Sequence, residues 1–427
     1  MNVSLWKTSS DRPLIRTMDR VSASLLALCP VLQHYKAPAY NAAVMVMAFV
    51  VIYLLCRMVL VRDELRWSKI RPVLILIVYM LFRIVDHGTS VTELGRSGVL
   101  IVFFVAACLD CIDLKWMCRT ALVVACIASV ALFVQYISFY LFDRHLQMVP
   151  VSLLLPSADQ WILGAQTGLA SISGVLREDG FYRPSAFFLE PSHVYIYLFP
   201  HLLMVLLGEK QNLKQKAVAI LLSFGLILCT SSFGIVAVCA AWGLFFGFYD
   251  ERSNTFTVRN LFRRRTLILL AVALAAFAAA VLTIPRLQRI VVRIFYNDPG
   301  KSTAIAGRIA DALAGLKELT TKQWLLGVAD QNRGLPYNMP GIIGALRSHG
   351  IFAMLLSMEF YVKSVWKLKM PFWPVALMIV GTSFFSAHTH AAAGMMYYVL
   401  ILLYGYQTSQ RTESLWADLR ADLKKKN

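Results

Sequence analysis

The sequence predicts an all-α polytopic membrane protein with about twelve transmembrane helices and two long outer loops. Hydrophobic residues make up 58% of its 427 residues and charged residues only 15%, whereas soluble domains carry about 25% charged residues. Apolar runs of about 20 residues recur along the chain, and each is long enough to cross the hydrocarbon core of a bilayer. We therefore expect residues 1–427 to form a single integral membrane domain.

The predicted spans follow one another from the N-terminal region to the last apolar run. They lie near 21–35, 40–60, 71–87, 94–109, 119–141, 191–208, 216–231, 233–249, 266–284, 341–362, 371–387 and 391–406. The segment Thr230-Ser-Ser-Phe-Gly234 separates two of these spans and predicts a tight turn between them. Short basic loops all fall on one face, which the positive-inside rule assigns to the cytoplasm. Both termini, including the tail 407–427, are then cytoplasmic.

Two long loops remain on the outer face, at about 142–190 and 285–340. Loops of this length within a compact protein are usually functional. The first loop is slightly acidic and the second is markedly basic, so we expect them to form two walls of one site. The net charge of +18 follows mainly from the cytoplasmic loops, and it does not indicate a nucleic-acid partner.

The stretch Arg183-Pro-Ser-Ala-Phe-Phe-Leu-Glu190-Pro-Ser-His193 brings charged and polar groups to the point where the first loop enters a span. Such groups are costly to desolvate at a membrane face, which favours a functional reason for them. At a low-dielectric boundary Glu190 can have a raised pKa and act as a general base. The alternative is that Glu190 caps the helix, because acidic residues favour helix N-termini and Pro191 suits the first helical position.

An arginine row follows the ninth span. Arg286, Arg289 and Arg293 are spaced three and four residues apart, so they share one face of a helix that Pro285 can begin. Guanidinium groups bind phosphate through paired hydrogen bonds, and a row of three can neutralise a pyrophosphate. The alternative is an amphipathic interfacial helix whose arginines meet anionic lipid headgroups.

Further candidates lie in and after the second loop. Arg308 can add to the phosphate site or pair with Asp311 on the same helical face. His349, close to Arg347, is a candidate for catalysis or for binding an anionic group. His193 is a candidate for substrate binding. Glu190 and His193 alone are too few for a metal site, and no nucleotide-binding motif is present, so we predict neither metal nor cofactor.

The chain resembles the bacterial O-antigen polymerase and ligase superfamily. The resemblance is carried by the 183–193 stretch, by Thr230-Ser-Ser-Phe-Gly234, and by Trp324-Leu-Leu-Gly-Val328 ahead of Gly350-Ile-Phe-Ala. Such enzymes transfer a glycan from undecaprenyl pyrophosphate to a hydroxyl acceptor at the periplasmic face. The two outer loops would then be periplasmic loops.

The resemblance implies a metal-independent glycosyltransferase of the bacterial inner membrane. It carries Arg183, Glu190, Arg289 and Arg308 as site positions. The expected reaction polymerises undecaprenyl-pyrophosphate-linked repeat units into O-antigen, capsule or exopolysaccharide. A chain-length regulator and a flippase are the protein partners that the resemblance implies.

Two alternatives stay open. An O-antigen ligase would use the same chemistry to transfer glycan to lipid A–core, although the second loop lacks a His-Asn-type motif that we would look for in a ligase. A transporter or flippase of lipid-linked glycans would make no glycosidic bond. Charges deep within spans, which mark transport pathways, are scarce here, and no internal repeat of the transporter kind is evident.

Overall fold

Helices form almost all of the regular structure that the computed structural model describes. The described residues are 13–33, 35–37, 40–61, 112–144, 184–188, 191–206, 213–229, 232–250, 255–256, 264–283 and 313–328, with isolated residues 74, 78, 81, 146, 148, 153, 288, 346–347 and 350–352. Within them, the prediction of an all-helical chain is confirmed, apart from two short β-ribbons.

The first helices are joined by one of these ribbons. Helix α1 (Pro13–Leu32) leads into strands β1 (Lys36–Ala37) and β2 (Tyr40–Asn41), which pair antiparallel and return the chain to helix α2 (Ala42–Val61). Helix α1 begins before the predicted span 21–35 and ends short of its last residues. The early start fits Pro13, because proline suits the first turn of a helix.

Helix α3 (Leu114–Phe142) is the longest described helix and has defined caps at both ends. The side chain of Asp113 accepts a hydrogen bond from the Trp116 amide, and Asp143 ends the helix in the left-handed conformation with its N–H bonded to the Ser138 carbonyl. Its 29 residues span about 43 Å at 1.5 Å per residue. Among the described residues it is the helix that is both long and apolar enough to cross a membrane.

The next three helices are α4 (Pro191–Leu206), α5 (Leu213–Leu228) and α6 (Ser232–Gly247). The predicted break between 216–231 and 233–249 is confirmed, because α5 ends and α6 begins there. Helix α4 begins at Pro191, as the sequence predicted. Shorter apolar stretches within the described helices are Ala42–Arg57, His193–Leu206 and Gly234–Gly247.

A second ribbon and two more helices complete the described elements. Strands β3 (Tyr249–Asp250) and β4 (Thr255–Phe256) pair antiparallel, and helix α7 (Arg264–Thr283) follows. The short helix α8 (Thr321–Leu326) begins with a capping box between Thr320 and Gln323, in which each residue satisfies the other's backbone amide.

Helix α4 lies at the centre of the described bundle. It packs against α3, α5 and α6, and nearly every described side chain of α4 from His193 onward is buried. Its Tyr197 hydroxyl donates to the Ala27 carbonyl of α1 over 2.8 Å. A helix that is buried on all sides needs apolar residues nearly all round, and the apolar run His193–Leu206 meets that need.

Close packing around α4 depends on a glycine of α5. A Cβ at Gly225 would meet the Ser129 hydroxyl of α3, and it would lie 2.9 Å from a Leu198 methyl of α4. Real Cβ atoms do not approach heavy atoms this closely. The missing side chain therefore lets three helices meet at one point.

An ion pair between the buried Arg57 and the half-buried Asp19 joins α1 to α2. The Arg57 Nε lies 2.8 Å from an Asp19 carboxylate oxygen, with 8% and 17% of these side chains exposed. The Tyr53 hydroxyl donates to the same carboxylate over 2.9 Å. The neighbouring Arg20 guanidinium lies 4.8 Å from the ring centre of Trp116 in α3. These polar contacts fix the register of the two helices, because breaking a buried pair leaves an uncompensated charge.

Several predicted spans lie outside the described residues. These are 94–109, 371–387 and 391–406, together with most of 71–87 and 341–362. The C-terminal tail 407–427, which the sequence predicts to be cytoplasmic, lies outside them as well. The number of spans and the sidedness of the loops therefore stay predictions.

We expect Gly225→Ala to destabilise the protein by about 2 kcal/mol, because the new methyl overpacks the junction of three helices. The measurement is thermal unfolding of the detergent-solubilised protein, followed with a thiol-reactive dye that detects buried cysteines such as Cys29 and Cys118 as they become exposed. The matched control is Gly243→Ala in α6, whose Cβ would meet open space. That change should stabilise slightly, by about 0.5 kcal/mol, through helix propensity. Equal melting shifts for the two variants would refute the packing account.

Candidate functional site

Two of the predicted site residues, His193 and Arg347, belong to the described part of the chain. The others lie outside it, so the structure does not test whether they come together: Glu190, His349, Arg183, Arg286, Arg289, Arg293 and Arg308. The described residues that flank these positions do have defined geometry. They show how the chain is held where it enters α4 and where it passes Arg347.

The entry turn, which we define as residues 184–188, leads from the first long loop towards α4. The Phe188 amide bonds back to the Ser185 carbonyl over 2.9 Å and closes the turn. Ala186 has φ 51°, a left-handed conformation that is uncommon for residues with a Cβ, and its side chain is fully buried. A buried turn of this kind must find partners for its backbone groups.

One hydrogen-bond partner for the backbone of the entry turn comes from α3. The Gln135 side-chain oxygen accepts the Ala186 N–H over 2.8 Å, and its NH₂ group donates to the Leu146 carbonyl over 3.0 Å. Sequence reasoning missed this residue. The available signal was a glutamine within the apolar run 119–141, because polar side chains inside a span are costly and usually have a specific role.

A second partner comes from the segment after α1. The Tyr35 hydroxyl donates to the Phe187 carbonyl over 2.7 Å. A tyrosine phenol carries its proton at neutral pH, so the Tyr35 hydroxyl is available as a donor. Phe188 is buried, and its ring lies 5.3 Å from that of Tyr197 in α4. Residues following α1, within α3 and within α4 therefore all hold the entry turn.

His193 lies in the first turn of α4, close to the entry turn in sequence, and its side chain is buried. Tyr197 and His201 follow on the same face, and their rings are 5.8 Å apart. The role of His193 in substrate binding stays a prediction.

Arg347 is held in a second described region, together with residues 313–328. Its carbonyl accepts the Val328 amide over 2.8 Å, and its guanidinium donates to the Gly315 carbonyl over 3.3 Å. Gly350 has φ 77°, and a Cβ there would meet the Leu325 carbonyl oxygen. Two of the motifs that carry the family resemblance are thus in direct contact. The anion-binding role of Arg347 remains a prediction.

No three His, Cys, Asp or Glu side chains among the described residues lie close enough together to hold a metal ion. The acid–base and phosphate-binding groups of the predicted site belong to the positions outside them.

No protein-family model matches the chain, and no curated protein matches it significantly. The resemblance to the O-antigen polymerase and ligase superfamily therefore rests on the sequence motifs and on the predicted layout of spans and loops.

We expect Tyr35→Phe to loosen the entry turn, because it removes a hydrogen bond worth about 1 kcal/mol. The measurement is backbone hydrogen exchange of the peptide that covers residues 184–188, which should become about fivefold faster. Tyr53→Phe is the matched control, since it removes one hydroxyl from the Asp19 contact and leaves the turn alone. If both variants exchange alike at the turn, the Tyr35 contact does not hold it.

Proposed function

We propose that the protein is a polysaccharide repeat-unit polymerase that acts at the periplasmic face of the bacterial inner membrane. The observation that carries the proposal is the anchoring of the entry turn by Gln135 and Tyr35 at the beginning of α4. In sequence, that turn lies between Arg183 and Glu190, the positions to which the family resemblance gives site roles. A buried, bonded turn is the kind of support that a catalytic group needs.

Three further observations support a membrane location for this activity. The composition is strongly apolar, α3 is long and apolar enough to cross a bilayer, and large apolar side chains on α3, such as Val123, Ile127 and Phe133, face outward from the described bundle. Apolar side chains on an outer surface suit a lipid environment. The proposal extends this to about twelve spans with both termini in the cytoplasm.

The proposed reaction transfers a growing glycan from undecaprenyl pyrophosphate to a fresh lipid-linked repeat unit. An acceptor hydroxyl attacks the anomeric carbon of the donor, and the bond from that carbon to the pyrophosphate oxygen breaks. Glu190 takes the hydroxyl proton as general base, and His349 is the second candidate for acid–base work. Undecaprenyl pyrophosphate leaves with the electrons of the broken bond.

The charge that develops on the leaving pyrophosphate needs cationic partners. Arginine supplies them without a metal, because its planar guanidinium binds phosphate oxygens through two hydrogen bonds and is always charged. In the proposal, Arg286, Arg289, Arg293 and Arg308 bind the pyrophosphate. Arg183, Arg347 and His193 contribute to substrate binding.

Deletion of the gene should remove the polymer and leave single repeat units on the acceptor. The measurement is a resolving gel of surface glycans, with lipid-linked intermediates extracted from the same cells. Long polymer stranded on undecaprenyl pyrophosphate would contradict the polymerase and favour the ligase. An unchanged glycan ladder would contradict both and leave transport of lipid-linked glycans as the function to pursue.

Replacement of Arg289 by Lys should shorten the polymer and lower its amount by about tenfold or more, because a two-pronged guanidinium becomes a point charge. The readout is the same glycan ladder, with the variant expressed in the deletion strain and its membrane level checked by immunoblot. Lys317→Arg, another conservative change of a basic residue in the second loop, is the matched control and should restore the full ladder. Full polymer length with Arg289→Lys would refute the assignment of this arginine.

A further inference from the structure

The side-chain amide of Gln135 forms hydrogen bonds through both its oxygen and its NH₂ group to backbone groups of the first long loop. Only 4% of the residue is exposed. Its oxygen accepts from the Ala186 amide over 2.8 Å, and its NH₂ donates to the Leu146 carbonyl over 3.0 Å. Leu146 follows the end of α3 closely, and Ala186 belongs to the entry turn before α4. One side chain therefore joins the beginning of the predicted loop 142–190 to its end.

The chemistry of this contact requires an amide of this length. A buried polar group that lacks a partner is costly, so the Gln135 amide and the two backbone groups depend on each other. Methionine has nearly the same shape but offers neither a donor nor a strong acceptor. An ionised glutamate would keep the acceptor for Ala186 and lose the donor for Leu146. Ala186 adds a further demand, because its positive φ persists only when neighbouring groups hold it.

We propose that Gln135 is a positioning residue for the reaction. It holds the backbone of the entry turn against α3. Because Glu190 lies two residues after this turn in sequence, the hold on the turn restricts where Glu190 can lie. A catalytic group displaced by about 1 Å can lose about a hundredfold in rate. Gln135 touches no reacting atom in this account. Its effect on turnover rests on the proposed polymerase function, whereas its hold on the entry turn does not.

The first arm of the test measures the contact itself. Purified full-length protein and its Gln135→Met variant are compared by backbone hydrogen exchange across residues 184–188. Loss of the acceptor should speed exchange at the Ala186 amide by about tenfold. Unchanged exchange at Ala186 in the variant would overturn the proposal, whatever happens to activity.

The second arm measures turnover. Both proteins are reconstituted with an undecaprenyl-pyrophosphate-linked repeat unit, and the rate of polymerisation is followed as a function of substrate concentration. The positioning role predicts that Gln135→Met lowers kcat by about tenfold or more and changes KM less than threefold. Faster exchange with wild-type kcat would overturn the positioning role. If the wild-type protein makes no polymer, the proposed function fails, and the exchange arm still decides the contact.

Two further variants keep the test decisive. Ser138→Ala removes a similar side-chain bond from the end of α3 to the Arg144 carbonyl, but it does not reach Ala186, so its exchange at Ala186 and its kcat should match wild type. Gln135→Glu keeps an acceptor and serves if Gln135→Met does not fold. It should leave exchange at Ala186 within about threefold of wild type. Exchange as fast in Gln135→Glu as in an unprotected amide would overturn the assigned contact.

Discussion

A turn of backbone buried among apolar helices must have its polar groups bonded, and this requirement organises the described structure. The entry turn meets it with the Gln135 amide of α3 and the Tyr35 hydroxyl that follows α1. These bonds bring the end of α3, the segment after α1 and the start of α4 to one place. Without them, the chain could not pass from a long polar loop into a buried helix at a fixed position.

Helix α4 connects the entry turn to the rest of the bundle through its packing contacts. It is buried among its neighbours, its Tyr197 bonds to the Ala27 carbonyl of α1, and its Leu198 side chain lies where α5 presents Gly225. Well-packed helices resist displacement, because close packing leaves few voids to absorb a shift. The ion pair of Asp19 with Arg57 fixes α1 against α2 separately. A group carried just before α4 would thus rest on a stiff support, which is what precise positioning in catalysis requires.

The positions of the helices could be predicted from the sequence better than the side-chain contacts that hold them together. Hydropathy located α3 to α7 to within a few residues, Pro191 indicated where α4 begins, and the polar segment 230–234 indicated the break between α5 and α6. The early start of α1 and the two β-ribbons were missed, because short turns and amphipathic helix ends leave a weak apolar signal.

The role of Gln135 was missed for a different reason. Its partners, Leu146 and Ala186, lie at opposite ends of a long loop, and no local pattern encodes such a meeting. The predicted convergence of the arginines likewise depends on tertiary placement, and it stays a prediction.

In the proposed function, the protein itself makes glycosidic bonds from lipid-linked repeat units. The most direct test places the purified protein in liposomes with undecaprenyl-pyrophosphate-linked repeat units, without nucleotide and with a metal chelator present. We expect glycans longer than one repeat to appear and undecaprenyl pyrophosphate to be released in step with each bond made. Repeat units that cross the bilayer and remain single would rule out the proposed polymerase activity and identify transport instead.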